Sequence, residues 1–77
     1  MSVNVIVFGR LTDIVGKQPL TVQEAVDTDQ LVQQLQRLYP ALIDAPYIIA
    51  VDKQLINSNT VLTGNNTVAL LPPFAGG

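Results

Sequence analysis

The feature that most constrains the fold is one long stretch of helical periodicity, which begins at Asp27 and stands between segments with strand character. Its apolar residues recur at i, i+1, i+4, i+7, i+8 and i+11, a stripe that buries one side of a helix. A chain with one such helix must supply the opposing layer from its strands. The stripe predicted to pack on a sheet consists of Leu31, Val32, Leu35, Leu38, Tyr39 and Leu42.

Capping signals mark both ends of this helix. Asp27 can accept hydrogen bonds from the amides of the first turn, and Gln30 stands three residues later as its capping-box partner. Pro40 lacks an amide donor and disfavours a helical residue before it. The helix is therefore predicted to end near residues 38–39.

The first 26 residues predict two strands joined by a short helix. Residues 3–8 carry apolar side chains on both faces, which favours a strand in the middle of a sheet. Residues 10–16 place apolar side chains at helical spacing before a glycine. Residues 18–26 predict an edge or half-buried strand, which begins after Pro19 and returns along the first strand.

Three further strands follow the main helix, and turn residues separate them. A polar break at 52–54 indicates a tight reversal, and a second turn at 62–66 contains Gly64 and two asparagines, which tolerate positive φ. The order of elements predicts an α+β fold with one layer of sheet covered by one main helix. The three strands are predicted at 47–51, 55–56 and 67–71.

The composition excludes several classes of function. Without cysteine or histidine, the chain has no thiolate nucleophile and cannot build a Ser-His-Asp triad or an ordinary catalytic zinc site. A net charge of −2 without Lys or Arg clusters argues against a nucleic-acid or membrane partner. Hydrophobic residues make up 48% and charged residues 13%, so an exposed apolar, partner-binding patch is expected. The absence of a signal-peptide pattern predicts a cytoplasmic protein.

The final six residues carry the strongest functional signal. Pro72 and Pro73 cannot donate to a strand ladder, so they divide a domain at 1–71 from an extended tail at 72–77. The terminal glycine pair lacks Cβ atoms and can enter a slot too narrow for other residues. The end of the chain is therefore the candidate site.

Two other features of the tail bear on this interpretation. Phe74 is an aromatic side chain that a partner's pocket can bury as an anchor. At a glycine usage of about 7%, two terminal glycines arise by chance in roughly one chain in 200. The plain alternatives are a frayed end and a cloning scar.

These residues together resemble a known family, the β-grasp (ubiquitin-like) sulfur carriers of the MoaD/ThiS type, and most of all the small subunits of molybdopterin synthase. The tail is the most specific part, because that branch typically ends Pro-Pro-x-x-Gly-Gly. One departure is the turn Gly64-Asn65-Asn66, which is often acidic in the family. The matching segments are the strand ending in Phe8, residues 11–16, 50–55 and 62–68, and the tail Pro72-Pro73-Phe74-Ala75-Gly76-Gly77.

The resemblance implies a mixed sheet of four to five strands and a reaction at the chain terminus. The Gly77 carboxylate would be adenylated by an E1-like enzyme that consumes ATP, and a sulfur donor protein would then convert it to a thiocarboxylate. The large subunit of molybdopterin synthase would receive the tail, and a cyclic pterin precursor would take the sulfur to form a dithiolene. The carrier itself would be a non-catalytic subunit without a metal or a stably bound cofactor. The tail residues expected to bind partners are Pro72, Pro73, Phe74, Ala75 and Gly76.

Three rival functions stay open at the level of sequence. A carrier for thiazole or another sulfur-containing metabolite shares the glycine pair, but usually not the proline pair. A ubiquitin-like protein modifier would join Gly77 to a lysine of a target. An interaction module with an inert tail would show no change in mass after incubation with ATP, an activating enzyme and a sulfur source.

Overall fold

The computed structural model describes residues 2–73, and within them a five-stranded sheet carries one main helix on one face. The strands are β1 (Ser2–Val7), β2 (Leu20–Gln23), β3 (Ile48–Val51), β4 (Gln54–Ile56) and β5 (Thr67–Leu71). The α-helices are α1 (Thr12–Val15) and α2 (Thr28–Leu38), and 3₁₀ turns lie at Gly9–Leu11 and Pro40–Ile43.

The sheet is mixed, with the strand order β2-β1-β5-β3-β4. β5 lies at its centre, parallel to β1 and antiparallel to β3. β2 lies at one edge and runs antiparallel to β1, which confirms the prediction of an edge strand that returns along the first. Because β1 and β5 are parallel, both strands end at the same edge of the sheet.

The core lies between α2 and one face of the sheet. Val3, Val5 and Val7 alternate along β1 and are all buried, as expected when a strand turns one face to a helix. Leu31 and Leu35 of α2 are buried opposite them. Each fully buried side chain of this size contributes about 1.5–3 kcal/mol relative to its exposed form. The helix therefore covers a single face, and the other face of the sheet is open.

The predicted cap of α2 by Asp27 is confirmed, whereas the Gln30 side chain bonds to the amide of the residue before Asp27 rather than to that of Asp27 itself. The Gln30 amide donates to Asp27 Oδ1 at 2.9 Å, and the Gln30 side-chain oxygen accepts from the Val26 amide at 3.3 Å. The helix ends at Leu38, as the proline two residues later predicted.

Two residues of the predicted apolar stripe do not lie where the periodicity placed them. Leu38 is 67% exposed because it is the last helical residue and the chain turns away there. Leu42 belongs to the following 3₁₀ turn rather than to the helix, and that turn buries it in the core. The periodicity therefore predicted the burial of Leu42 correctly but not its element, and it predicted the wrong environment for Leu38 at the last position of the helix.

β2 is shorter than the prediction of 18–26. It ends at Gln23 because Glu24 adopts a left-handed backbone with φ of 62°, which breaks the ladder. The next residues pair with another segment instead: the Val26 carbonyl accepts from the Leu62 amide, and the Thr28 amide donates to the Thr60 carbonyl, both at 2.9 Å.

The two predicted turns form by different means. Asp52 and Lys53 both have positive φ, 49° and 72°, and make a two-residue connection between β3 and β4. In the second turn Gly64 has φ of 116°, whereas neither asparagine has a positive φ. Asn66 is instead buried and acts through its side chain.

Candidate functional site

The root of the predicted tail lies at the edge of the sheet where β1 and β5 both end. Pro72 is half-buried against the body, and Pro73 is exposed. The other predicted site residues lie outside the described residues. They are Phe74, Ala75, Gly76 and Gly77.

Pro72 packs on the backbone of Gly9. The parallel register pairs Val7 with Leu70, so two residues further along each chain Gly9 comes opposite Pro72. Gly9 has φ of 61°, and a Cβ atom on it would lie 2.5 Å from Cγ and 3.3 Å from Cδ of Pro72. Only glycine therefore fits this position without a shift of its neighbour.

The segment that carries Gly9 is held on both sides. The Phe8 amide donates to the Leu70 carbonyl at 3.0 Å, which extends the contact between β1 and β5 beyond the last paired residue. The Thr12 hydroxyl donates to the Gly9 carbonyl at 2.7 Å. Leu11 is buried. Sequence reasoning missed this support, although a glycine between a strand and a short helix was a signal for it.

The face of the sheet opposite α2 carries apolar side chains, and we call it the open face. Cross-strand partners on it include Ile6 with Ala69 and Ile48 with Leu71. Leu55 of the edge strand β4 is 68% exposed, and Phe8 at the root of the tail is 45% exposed. The exposed apolar patch expected from the composition is thus present, and it reaches the strand ends from which the tail begins. We define the open face as Ile6, Phe8, Ile48, Leu55, Ala69 and Leu71.

A polar network holds the start of β5. Asp52 accepts hydrogen bonds from the Thr67 amide at 2.9 Å and from the Asn66 side-chain amide at 2.6 Å. These bonds, that of Thr67 foremost, lower the pKa of the Asp52 carboxyl because they favour its ionised form. Asn66 in turn accepts from the Thr63 amide at 2.7 Å. The turn between β3 and β4 is thereby tied to the strand that leads into the tail.

The N-terminus of α2 borders an open pocket between the helix and the β3–β4 hairpin, but its amides already have partners. Asn59 Oδ1 accepts from the Asp29 amide at 2.9 Å, and the Asn59 side-chain amide donates to Asp27 Oδ2 at 3.2 Å. Thr28 is buried, and its hydroxyl accepts from the Thr60 amide at 2.9 Å. The loop that contains Asn59 and Thr60 therefore caps the helix, and the Thr28 and Asp29 amides are not available to bind an anion. The pocket is lined by Thr28, Asp29, Tyr47, Ile48, Ile49, Ile56, Asn57, Ser58 and Asn59.

Residues 2–73 contain neither a cluster of potential metal ligands nor a helix that could span a membrane. Within that range no three acidic side chains gather where they could ligate a metal ion. In the same range no helix combines the length and the apolar character that a bilayer crossing needs. What the described body offers is a hydrogen-bonded strand end, an apolar open face beside it, and a root at Pro72 from which a tail can be presented.

Comparison with known proteins gives matches that span all or nearly all of the chain. The sequence pattern of the ThiS family matches residues 5–77. The molybdopterin synthase sulfur carrier subunit of Mycobacterium tuberculosis is 35% identical over an alignment of 82 residues, which covers 100% of this chain and 99% of the relative.

Two solved structures are also similar. One chain comes from the complex of subunits 1 and 2 of the molybdopterin-converting factor from Helicobacter pylori 26695. It is 31% identical with a TM-score of 0.74, and both chains are covered in full. Small archaeal modifier protein 1 from Methanosarcina acetivorans has a TM-score of 0.82 at 22% identity, covering 99% of this chain and 96% of that chain. The latter likeness concerns the fold alone, and it confirms the predicted ubiquitin-like β-grasp fold.

Proposed function

Because the chain belongs to the ThiS family, we propose that it is the sulfur carrier subunit of a molybdopterin synthase. The observation that carries this proposal is the placement of β5. The central strand of the sheet ends at Leu71, and the Pro-Pro-x-x-Gly-Gly ending follows it directly. A securely held strand is a fixed base for an arm that must enter another protein.

The reacting group is the carboxylate of Gly77. A terminal carboxylate has a pKa near 3.3–3.7, so at neutral pH it is ionised and lacks a leaving group. A separate E1-like enzyme joins it to the AMP portion of ATP and releases pyrophosphate. Sulfur at the oxidation level of sulfide, supplied by a donor protein, then forms a bond to the Gly77 carbonyl carbon as the bond to AMP breaks, which gives a thiocarboxylate and free AMP. The chain has no cysteine, so none of its own thiols can intercept the activated terminus.

The partner that receives the thiocarboxylate is the large subunit of the synthase, in whose active site a cyclic pterin precursor takes the sulfur. The H. pylori relative of 31% identity was solved as a complex of subunits 1 and 2, which supports a partner of this kind. The open face runs up to the strand end at Leu71, so a partner that accepts the tail also meets this apolar surface. We place this complex in the cytoplasm because the activation of Gly77 consumes ATP.

Intact mass spectrometry tests the proposal directly. Incubation with ATP, the adenylating enzyme and a sulfide source should replace one terminal oxygen by sulfur, with a corresponding mass increase. A variant without Gly76 and Gly77 should keep the thermal midpoint of unfolding and lose the mass change. Gly77→Ala, which keeps the chain length, should slow the conversion without altering the fold. An unchanged mass with a competent enzyme would overturn the proposal.

The same preparation separates the rival functions. Dithiolene formation with the large subunit supports the molybdopterin pathway, whereas transfer only to a thiazole synthase supports the related carriers. The fold of small archaeal modifier protein 1 is close to this one, and a modifier would yield slow-migrating covalent conjugates in cell extract. Such conjugates without dithiolene formation would contradict the carrier function and support the function of a protein modifier.

A further inference from the structure

The contact between Gly9 and Pro72 assigns a role to a residue outside the tail. We propose that Gly9 is a positioning residue, whose bare backbone supports Pro72 and sets the point and direction at which the tail leaves the sheet. This rests on the proposed function, because the direction of the tail matters only when Gly77 reacts in a partner.

The contact follows from the register of the two parallel strands. With Val7 opposite Leu70, Gly9 comes opposite Pro72, where the chains have passed the end of the ladder but still lie side by side. A Cβ on Gly9 would meet Cγ of Pro72 at 2.5 Å. That atom belongs to a ring closed on the backbone nitrogen, so it cannot rotate aside as the end of a flexible side chain does. A side chain at position 9 must therefore move the backbone at Pro72.

The backbone at Gly9 cannot easily move in place of Pro72. The Gly9 carbonyl accepts the Thr12 hydroxyl at 2.7 Å, and the preceding Phe8 amide is bonded to Leu70 at 3.0 Å. Leu11, two residues later, is anchored in the core. With Gly9 held from both directions, the displacement falls on Pro72 and on whatever follows it.

When a partner holds the tail extended, a small displacement at this root becomes a larger one at the reacting end. Five residues beyond Pro72 reach about 17 Å when extended, so a rotation of about 10° at the root moves the far end by about 3 Å. A misplacement of about 1 Å can lower the rate of a reaction by about 100-fold. While the open face is bound to a partner, the position of Pro72 determines where the tail enters that partner's active site.

The experiment compares Gly9→Ala with a matched control, Gly16→Ala. Both glycines have positive φ, 61° and 105°, so both substitutions strain the backbone. Nothing lies within 4 Å of a Cβ on Gly16 among the described residues, whereas a Cβ on Gly9 strikes Pro72. Gly9→Ala should lower kcat/KM for adenylation by about 10- to 100-fold. Gly16→Ala should leave kcat/KM close to that of the wild-type chain.

A double-mutant cycle with Pro72→Ala tests whether the loss of kcat/KM in Gly9→Ala arises from the contact with the Pro72 ring. Removing Cγ and Cδ of Pro72 relieves the clash but leaves the strain at position 9. The factor lost through Gly9→Ala should therefore be about tenfold smaller in the Pro72→Ala background. An equal loss in both backgrounds, or an equal loss in Gly16→Ala, would show a merely structural role and overturn the proposal.

A further measurement on the isolated chain needs no partner enzyme. Nuclear Overhauser contacts between the Gly9 α-protons and the Pro72 ring should be present in the wild-type chain. Gly9→Ala should shift the amide resonances of residues 74–77, and Gly16→Ala should not. Missing contacts overturn the positioning role even when the wild-type chain is adenylated. Contacts without adenylation overturn the proposed function but not the packing.

Should Gly9→Ala fail to fold, a pair of proline variants decides. Pro72 is half-buried on Gly9 and Pro73 is exposed, so Pro72→Ala should lower kcat/KM more than Pro73→Ala. Equal effects of the two substitutions would contradict the positioning role of Gly9.

Discussion

Asp52 occupies a turn position that selects for its side chain as well as its backbone. Its φ of 49° is a conformation that asparagine and aspartate tolerate better than other non-glycine residues. Its carboxylate also closes a ring of hydrogen bonds with Asn66 and Thr67 at the start of β5. The residue thus joins a tight turn to the central strand.

Asp52→Asn should make the free energy of unfolding less dependent on pH in the acidic range. The pKa of Asp52 is lowered below its ordinary value of 3.8, first by the Thr67 amide and then by the Asn66 side chain. The stabilisation by the ionised carboxylate is therefore complete above that value, and it is lost as the pH falls through the lower pKa of the folded state. Asn is also tolerated at positive φ, so Asp52→Asn removes the charge with little backbone strain.

Urea denaturation at about pH 7 and at about pH 3 measures this effect. The wild-type chain should be more stable than Asp52→Asn at the higher pH, and the difference should narrow at the lower pH. A difference of equal size at both values would contradict the assigned role of the carboxylate.

Asn59 is a second residue whose importance lies in contacts distant in sequence. It bonds to Asp27, Thr28 and Asp29 at the start of α2. Asn59→Ala should lower the free energy of unfolding by about 1–2 kcal/mol, because it leaves the Asp29 amide, in the first helical turn, without this acceptor. Asn57→Ala is the matched control, since Asn57 is exposed in the same loop and forms no side-chain hydrogen bond within residues 2–73. Denaturant titration should separate the two, and equal effects would contradict the capping role.

At the scale of elements, α2 shows how the end of a helix changes the meaning of a periodic position. Leu35 is 1% exposed and Leu38 is 67% exposed, although both lie on the predicted apolar stripe. Leu35→Ala should cost about 2–5 kcal/mol of stability, as expected for a cavity in a packed core. Leu38→Ala should change stability by less than about 0.5 kcal/mol. Thermal unfolding of both variants measures the contrast, and comparable losses would show that Leu38 is packed.

The elements that sequence alone predicted well are those with local determinants. The bounds of α2 depend on Asp27 and Pro40, which act within a turn of the helix that they limit. The predicted end of β2 was wrong because the strand stops at the left-handed Glu24 and because Val26 pairs with Leu62, about 35 residues away in the sequence. The cap from Asn59 and the support from Gly9 were missed for the same reason, since both join segments that are distant in sequence.

At the scale of the whole molecule, the open face makes the docking side of the carrier testable. Leu55 on this face and Leu38 on α2 are equally exposed, at 68% and 67%, but they lie on opposite sides of the sheet. If the large subunit covers the open face, Leu55→Gln should weaken its binding by about 1–2 kcal/mol, roughly 5- to 30-fold in Kd. Leu38→Gln should leave Kd unchanged. Titration calorimetry measures both, and the reverse pattern would move the docking surface to the helix.

The strand order also determines which damaged forms of the protein can interfere with its pathway. A chain cleaved before Thr67 loses the strand between the β1–β2 pair and the β3–β4 pair, and isolated two-stranded units are at best marginally stable. Such a fragment unfolds and is open to degradation. A chain clipped after Pro73 keeps all five strands of the described residues and the whole open face. If that face binds the proposed partner, the clipped chain would be a folded decoy that occupies the partner without a terminus to react.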